Sequence, residues 1–405
     1  MQPYLDGEQL LQDLETLAQY GAEPGPGLNR VAFSPADMAA RAWVAVQMEK
    51  LGLQVQTDPA GNTIGIYAGQ ETTLKPIALG SHTDTVPQGG RYDGALGVLS
   101  ALACVRALQQ AGLRLRHPVE VINFTAEEAT MSGATLGSQA MSGRLDPVML
   151  THSAWDGLSV AEHLRQANIN PDQVTQAARP KGSLAAYLEL HIEQGGSLAL
   201  DDIPIGVVEG IVGIRRYDGI FVGAANHAGT TPMALRQDAL VMAAPFISGV
   251  REIAVQHQIV GTVGKLQVHP GAPNVIPGWV DLQVEIRGLD EGVLDVAEAA
   301  LIELAQHQGG QLQPRARKNA VQSDPRLLAA MESACQSLNV VYRQMPSGAG
   351  HDAMCIDDIA PQAMLFVPSQ NGISHAPEEY TTPEHCVLGA QVLLATLLEL
   401  DQQLD

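Results

Sequence analysis

The feature that most restricts the fold is an alternation in the first third of the chain. Two short apolar runs, Ile77 to Gly80 and Val119 to Phe124, flank an Ala- and Leu-rich stretch, Ala95 to Gln110, long enough for a helix. Strand, helix, strand in that order predicts an α/β sheet, because a parallel pair needs a crossover to bring the chain back. Two further strands are expected upstream, at Leu53 to Thr57 and Thr63 to Tyr67. Helices are expected ahead of them. Leu10, Leu11, Leu14, Leu17 and Ala18 recur at helical steps; a second helix can start with Ser34 as cap, Pro35 at its first position and Asp37 in its first turn, and stop at Gly52 after Leu51. Ligands of open α/β sheets bind beyond the carboxyl ends of the strands, so chemistry is to be sought there.

Near Val212 the pattern changes. A strand at Ile214 to Val222, a helix at Leu235 to His257, strands at Thr262 to His269 and Trp279 to Ile286, a helix at Val293 to Gln308 and a weaker extended stretch spell a β-α-β-β-α-β unit. The α/β pattern resumes near Ser323 with a helix, a strand at Ala363 to Val367 and a last helix ending in LLATLLEL. The expected organisation is a discontinuous domain, residues 1–211 and 327–405, carrying an inserted α+β domain at 212–326.

Composition removes several partners. Lys plus Arg is 23 and Asp plus Glu is 44, and the net charge of −21 opposes binding to nucleic-acid phosphates. No apolar run reaches the roughly 18 residues of a bilayer span, and MQPYLDGEQLLQDLETL lacks a basic and an apolar leader region. No membrane partner is expected, and the location reads as cytoplasmic. The four cysteines, Cys104, Cys335, Cys355 and Cys386, have no CxxC spacing and predict buried thiols.

Imidazoles and carboxylates gather where the apolar runs end. His82 and Asp84 follow IALGS, and Asp93 lies in GGRYDGALG just before the helix. Glu127 and Glu128 stand side by side after VINFTA, where two carboxylates repel unless a cation or a shared proton relieves them. His191 and Glu193 follow YLEL, and His375 lies in NGISHAPEE beyond AMLFVPS. Any one of the 12 histidines taken alone would be an ordinary core or surface residue. His82, Asp93, Glu128, His191 and His375 all beside glycines at such ends instead predict a site for zinc, manganese, cobalt or nickel, with no thiolate required. A carboxylate shared between two ligand sets could bridge a metal pair, with a neighbouring glutamate to move a water's proton.

The motifs GSHTDTV, YDGALGV, AEEA, ELHIEQG, NHAGTTPM, NVIPG, SGAGHDAM and NGISHAPEE resemble those of a family of dinuclear-metal amidohydrolases. That family includes N-carbamoyl-L-amino-acid amidohydrolase, allantoate amidohydrolase and β-ureidopropionase, within the clan of zinc aminoacylases and carboxypeptidases. The likeness runs in the family's order from about Leu10 to the end. It implies a mixed-sheet, metallopeptidase-like catalytic domain, with the insert serving as dimerisation and lid domain of a homodimer. By the same resemblance His82 and His191 hold one divalent ion, Glu128 and His375 a second, Asp93 bridges, Glu127 is the general base and Asp84 orients His82. His227 of NHAGTTPM would reach the neighbouring subunit's site and stabilise the oxyanion. Asn274 and Arg287 match lid residues that bind the substrate's carboxylate, and Gln194 and His351 match contacts near the ureido group.

One segment departs from the family. EEATMSGATLGS has Met131 and Ser132 where an arginine and a phenylalanine are usual, and is one residue shorter, which bears on the pocket beside the base. The expected activity is hydrolysis of a linear amide or ureido C–N bond in a small anionic substrate, an N-carbamoyl-L-amino acid first. Allantoate or a β-ureido acid is the near alternative, and an aminoacylase or dipeptidase activity the more remote one. A metal-binding protein without turnover is a different class, and the intact Glu127 speaks against it, since holding metal needs no base.

Overall fold

The computed structural model describes residues 3–405. In chain order the strands are β1 (Gln54–Thr57), β2 (Thr63–Tyr67), β3 (Ile77–His82), β4 (Val119–Phe124), β5 (Ala186–Ile192), β6 (Ile205–Ile211), β7 (Gly213–Val222), β8 (Val260–His269), β9 (Trp279–Gly288), β10 (Gly310–Lys318), β11 (Val321–Gln322), β12 (Tyr342–Ser347) and β13 (Gln362–Val367). The chain divides into two compact units, one running to Gly210 and resuming over Ser323–Asp405, the other Ile211–Gln322.

The first unit is built on a mixed sheet in which the strands follow the order β1-β2-β4-β3-β5-β13-β6, with β12 also on β6. The centre, β4-β3-β5-β13, is parallel, whereas β1, β2 and β6 pair antiparallel at its flanks. Every residue of β3, β4, β5 and β13 is buried. A parallel sheet is covered on both faces, which explains the near-continuous apolar runs in the sequence. The helix Ala95–Gln110 packs on β3 and β5 and beneath the helices Gly7–Leu17 and Pro383–Gln403, so it is apolar on nearly every side up to Arg106, which pairs with Asp13. The helix Pro35–Lys50 starts as its signals predict, the Ser34 hydroxyl accepting from the Asp37 N–H at 3.2 Å.

Two parts of this unit carry no sequence expectation. One is the pair of flanking strands β6 and β12; the other is the chain between Leu136 and Ala177, which folds into brief helical turns at Leu136–Ser142, Pro147–Thr151, Val160–Gln166 and Pro171–Ala177. Their caps are readable, since Asp146, Ser159 and Asn170 each accept a backbone N–H. None is long enough to display a hydrophobic period, and they are held instead by a satellite core that includes Val31, Phe33, Met131, Leu150 and Val160.

In the second unit the strand order is β10-β7-β9-β8, all antiparallel. Along β9, Val280, Leu282, Val284 and Ile286 are buried and alternate with partly exposed Asp281, Gln283, Glu285 and Arg287, the sign of a sheet dry on one face only. The helices Ala239–Gln256 and Glu291–His307 supply that dry face with Ala243, Phe246, Val250, Leu294 and Leu301. The first of them corrects an expectation. It has 18 residues with mean hydropathy 1.3, so one segment does reach the length and apolarity of a span. It contains Arg251 and Glu252, and the stripe Ala239, Ala243, Phe246, Val250 and Ala254 lies against the sheet, as in an amphipathic helix that covers one face of it. It begins at Ala239 and not Leu235 because the Asp238 carboxylate caps it, accepting from the Leu240 and Val241 N–H groups.

Candidate metal centre

The carboxyl ends of β3, β4, β5 and β13 bring the predicted imidazoles and acids of the first unit together. His82 ends β3 and His191 is the penultimate residue of β5, each 1% exposed. Nδ1 of His82 lies 3.0 Å from the Asp84 carbonyl oxygen, and Nδ1 of His191 lies 2.9 Å from that of Ile192. A carbonyl can only accept, so both rings carry their proton on Nδ1 and turn an Nε2 lone pair inward. Those Nε2 atoms stand 3.4 and 3.3 Å from one oxygen of Asp93, Oδ1.

The other oxygen of Asp93 faces a second group. Oδ2 lies 3.5 Å from Nε2 of His375, which in turn lies 3.3 Å from Oε1 of Glu128. Two sets of candidate donor atoms, His82 with Asp93 and His191, and Asp93 with Glu128 and His375, each fall within 4.8 Å of one another and share Asp93. Gln194 joins them, its Nε2 donating to Asp93 Oδ2 at 2.7 Å. Ala126, Gln194 and His375 all adopt positive φ, a conformation that costs side-chain-bearing residues energy and that gathers at functional sites. Gly94 is required for space as well as for its φ of 63°, since a Cβ there would lie 2.4 Å from His82 Nε2.

Acids outnumber cations in this pocket. Burial pushes Glu127 up well above the usual carboxylate range, and Glu128 and Asp352 add to it; burial and Asp93 do the same to Glu128. Burial would also raise Asp93, and positive charge on His191 and His82 would hold it well below its ordinary value, a part that falls to a bound cation when the two rings are neutral. Nδ1 protons fixed by carbonyls, inward Nε2 lone pairs and an excess of buried carboxylate suit a divalent cation and match the imidazole and carboxylate donors of zinc, manganese, cobalt or nickel. A third grouping, Glu189, His191 and His351, suits one less well. The Glu189 oxygens already accept from Ser81 Oγ, the Tyr187 hydroxyl and the Ala353 N–H.

Some residues stand elsewhere than expected. The Asp84 carboxylate accepts the backbone N–H groups of Glu127 (3.2 Å) and Glu128 (3.1 Å), while its Oδ1 is 3.7 Å from His82 Nδ1. It therefore sets the turn that carries the two glutamates, and the Asp84 main chain orients His82. His351 is 2% exposed, with its ring edge-on to His191 at 4.5 Å between centroids and Nε2 3.0 Å from Ser347 Oγ, so it backs a candidate ligand and does not face open space. Three residues to which the sequence assigned no role hold the strand ends and the Asp93 turn: Arg30 and Arg41, which lie outside every motif, and Glu379, which closes NGISHAPEE. Arg30, fully buried, donates to the Thr83, Leu17 and Tyr20 carbonyls. Arg41 donates to Phe124 O at 2.8 Å and Thr125 Oγ1 at 2.8 Å. The Glu379 carboxylate accepts the N–H groups of Tyr92 and Asp93.

The remaining candidates, His227, Asn274 and Arg287, lie in the second unit. His227 is exposed, and its Nδ1 accepts from the N–H groups of Gly229 (3.0 Å) and Thr230 (3.2 Å). An Nδ1 that accepts leaves the proton on Nε2, so the ring presents a donor outward. Asn274 adjoins it, its carbonyl accepting from Ala228 N at 2.9 Å. Arg287 Nε donates to Glu285 Oε1 at 2.6 Å.

A family profile described as Peptidase family M20/M25/M40 matches residues 78–399, and the chain belongs to that metal-dependent family. It is 39% identical to an N-carbamoyl-L-amino acid amidohydrolase of Geobacillus stearothermophilus, over 98% of this chain and 99% of the relative. It is 33% identical to the allantoate amidohydrolase of Bacillus subtilis, over 96% of each. Among solved structures it resembles an amidase of the hydantoinase/carbamoylase family from Burkholderia multivorans, with 36% identity, a TM-score of 0.90 and 98% of both chains covered.

Proposed function

We propose that the protein is a metal-dependent amidohydrolase that cleaves the ureido C–N bond of an N-carbamoyl-L-amino acid. The observation that carries this reading is the position of Asp93, one oxygen toward His82 and His191 and the other toward His375 beside Glu128. His82 and His191 would hold one divalent cation and Glu128 and His375 another, with Asp93 between them. Bound there, the ions supply Lewis acidity to the substrate carbonyl and lower the pKa of water. Glu127, whose Oε2 is 3.5 Å from His82 Nε2, takes a proton from the attacking water and delivers it to the departing nitrogen. The water's oxygen ends on the carbamoyl carbon, so the products are the amino acid, carbon dioxide and ammonia.

His227 would donate from Nε2 to the oxyanion in the neighbouring subunit's site, and Asn274 and Arg287 would bind the substrate's carboxylate. Gln194 would contact the ureido group. Self-association of the inserted unit is supported by β8, an edge strand whose Val260 and Leu266 are 64% and 43% exposed. Four buried, free cysteines support a reducing, cytoplasmic setting.

The test is ammonia release by protein reconstituted with zinc, manganese, cobalt or nickel. The substrates are N-carbamoyl-L-amino acids, N-carbamoyl-β-alanine, allantoate and N-acetyl amino acids. Release from the N-carbamoyl-L-amino acids, abolished by a chelator, is expected. Release confined to allantoate would replace the substrate, and free amine from N-acetyl compounds alone would replace the reaction.

A further inference from the structure

We infer that Glu379 is a positioning residue that locks the loop bearing Asp93 to the loop bearing His375 and so controls the binding of a second cation. The inference rests on the reading of Asp93 as a shared ligand. Glu379 is 5% exposed, and its two oxygens serve different loops. Oε1 accepts the N–H groups of Tyr92 at 2.9 Å and Asp93 at 3.1 Å, fixing the main chain from which the Asp93 carboxylate projects. Oε2 lies 3.1 Å from Ser374 Oγ, one residue before His375, and the same hydroxyl stands 2.8 Å from Asp93 Oδ2.

Ser374, whose hydroxyl has one proton and so donates to one carboxylate at a time, thus stands between the two at the Oδ2 side, the side turned to His375 and Glu128, while the hydrogen bonds of Glu379 and Ser374 reach neither Oδ1 nor the two buried histidines. The chain is shaped around it. A Cβ on Gly90 would fall 2.0 Å from Glu379 Cδ and 2.1 Å from Oε1, so the GGRYD turn closes on this side chain only because Gly90 has none. The rings of Tyr92 and Tyr380 meet edge-on at 6.0 Å, joining the same two loops. His375 is half exposed and sits at positive φ, so its placement depends on its loop more than on burial, unlike that of His82 or His191.

The experiment is calorimetric titration of manganese, and separately of cobalt with its visible spectrum recorded, into metal-free full-length protein. Wild type is expected to take two equivalents. Glu379→Ala should keep the first and bind the second about 10- to 100-fold more weakly, the usual effect of removing an outer partner of a metal ligand. Glu379→Gln should restore the second site, because an amide oxygen accepts both N–H groups and its NH2 can donate to Ser374 Oγ. Gly90→Ala, which displaces Glu379 without removing it, should reproduce the selective loss, and together with Glu379→Gln it decides the matter if Glu379→Ala does not fold. Two equivalents with unchanged affinity in Glu379→Ala or in Gly90→Ala would overturn the clamp. Equal weakening of both equivalents would also overturn it. A single equivalent in wild type would bring down the shared-ligand reading itself, and the clamp with it.

Discussion

The acids of the candidate metal centre and those of the second unit are handled in opposite ways, although the first unit also has arginine-paired acids, Asp13 with Arg106 and Glu120 with Arg179. In the first, Asp93, Glu127 and Glu128 are buried, and the two buried arginines nearby, Arg30 and Arg41, give their hydrogen bonds mainly to backbone carbonyls. In the second, buried Arg215 meets Glu291 at 2.9 Å, Asp295 at 2.7 Å and Glu298 at 2.6 Å, and Glu285 is gripped by Arg216 and Arg287. Carboxyls therefore move in opposite directions: burial pushes Glu127 and Glu128 up, whereas Glu291, although burial works against it, is held below its usual value by the Ala320 N–H, Arg215 and Arg317. The lesson is that acids matched by arginine build structure, and acids buried without a match wait for a cation.

That contrast can be broken at several places. The largest effect expected is from chelation: metal-free protein should lose essentially all turnover and regain it on reconstitution. Added cation should raise melting by about 3 kcal/mol of stabilisation at a hundredfold excess over Kd. Next, Glu127→Gln should lower kcat by about 10²- to 10⁴-fold while metal content, measured by elemental analysis, stays at the wild-type value. A parallel loss of metal would mean that Glu127 is a ligand and not the base.

Arg215→Ala should destabilise the second unit by about 2–3 kcal/mol in urea, less than the usual figure for breaking a buried pair because the three acids still reach water. The pH dependence of metal-free protein should then differ in sign between the units. Burial raises Asp37 to about 6, so the folded state keeps a proton that the unfolded chain releases, and the first unit should lose stability as pH rises from about 4 to 6. Glu291, depressed when folded, contributes fully above the unfolded value of 4.5 and less as pH falls below it. Hydrogen-exchange protection, corrected for intrinsic rates, reads both, and Asp37→Asn should lessen the first slope, the rest of which belongs to Glu127 and Glu128; the same sign in both units would end the comparison. The smallest effect belongs to Arg216→Ala, whose half-exposed pair with Glu285 should be worth less than about 1 kcal/mol.

Much of this was legible in the sequence. The helix Ala95–Gln110 and the strands Thr63–Tyr67 and Val119–Phe124 have the bounds their apolar patterns indicate, because a buried element must be apolar throughout and glycine or proline marks where it stops. His82, Asp93, Glu128, His191 and His375 could be picked out because strand ends and glycine turns are local features. The role of Glu379 could not, although the residue closes the motif NGISHAPEE, since accepting two N–H groups from a loop nearly three hundred residues away leaves no periodic trace. Nor could Arg30 and Arg41, whose guanidinium groups meet carbonyls that become neighbours only when the sheet closes.

The sequence by itself determined the periods, and hence which residues form strands and helices, and which residue types stand at the strand ends. Tertiary structure alone decided partners. It turned Asp84 toward the N–H groups of Glu127 and Glu128, set His351 behind His191, and split the two oxygens of Asp93 between two groups of donors. The physical reason is range: backbone geometry repeats every two or 3.6 residues and is written locally, whereas a hydrogen bond or an ion pair depends on distances that only the packed chain sets.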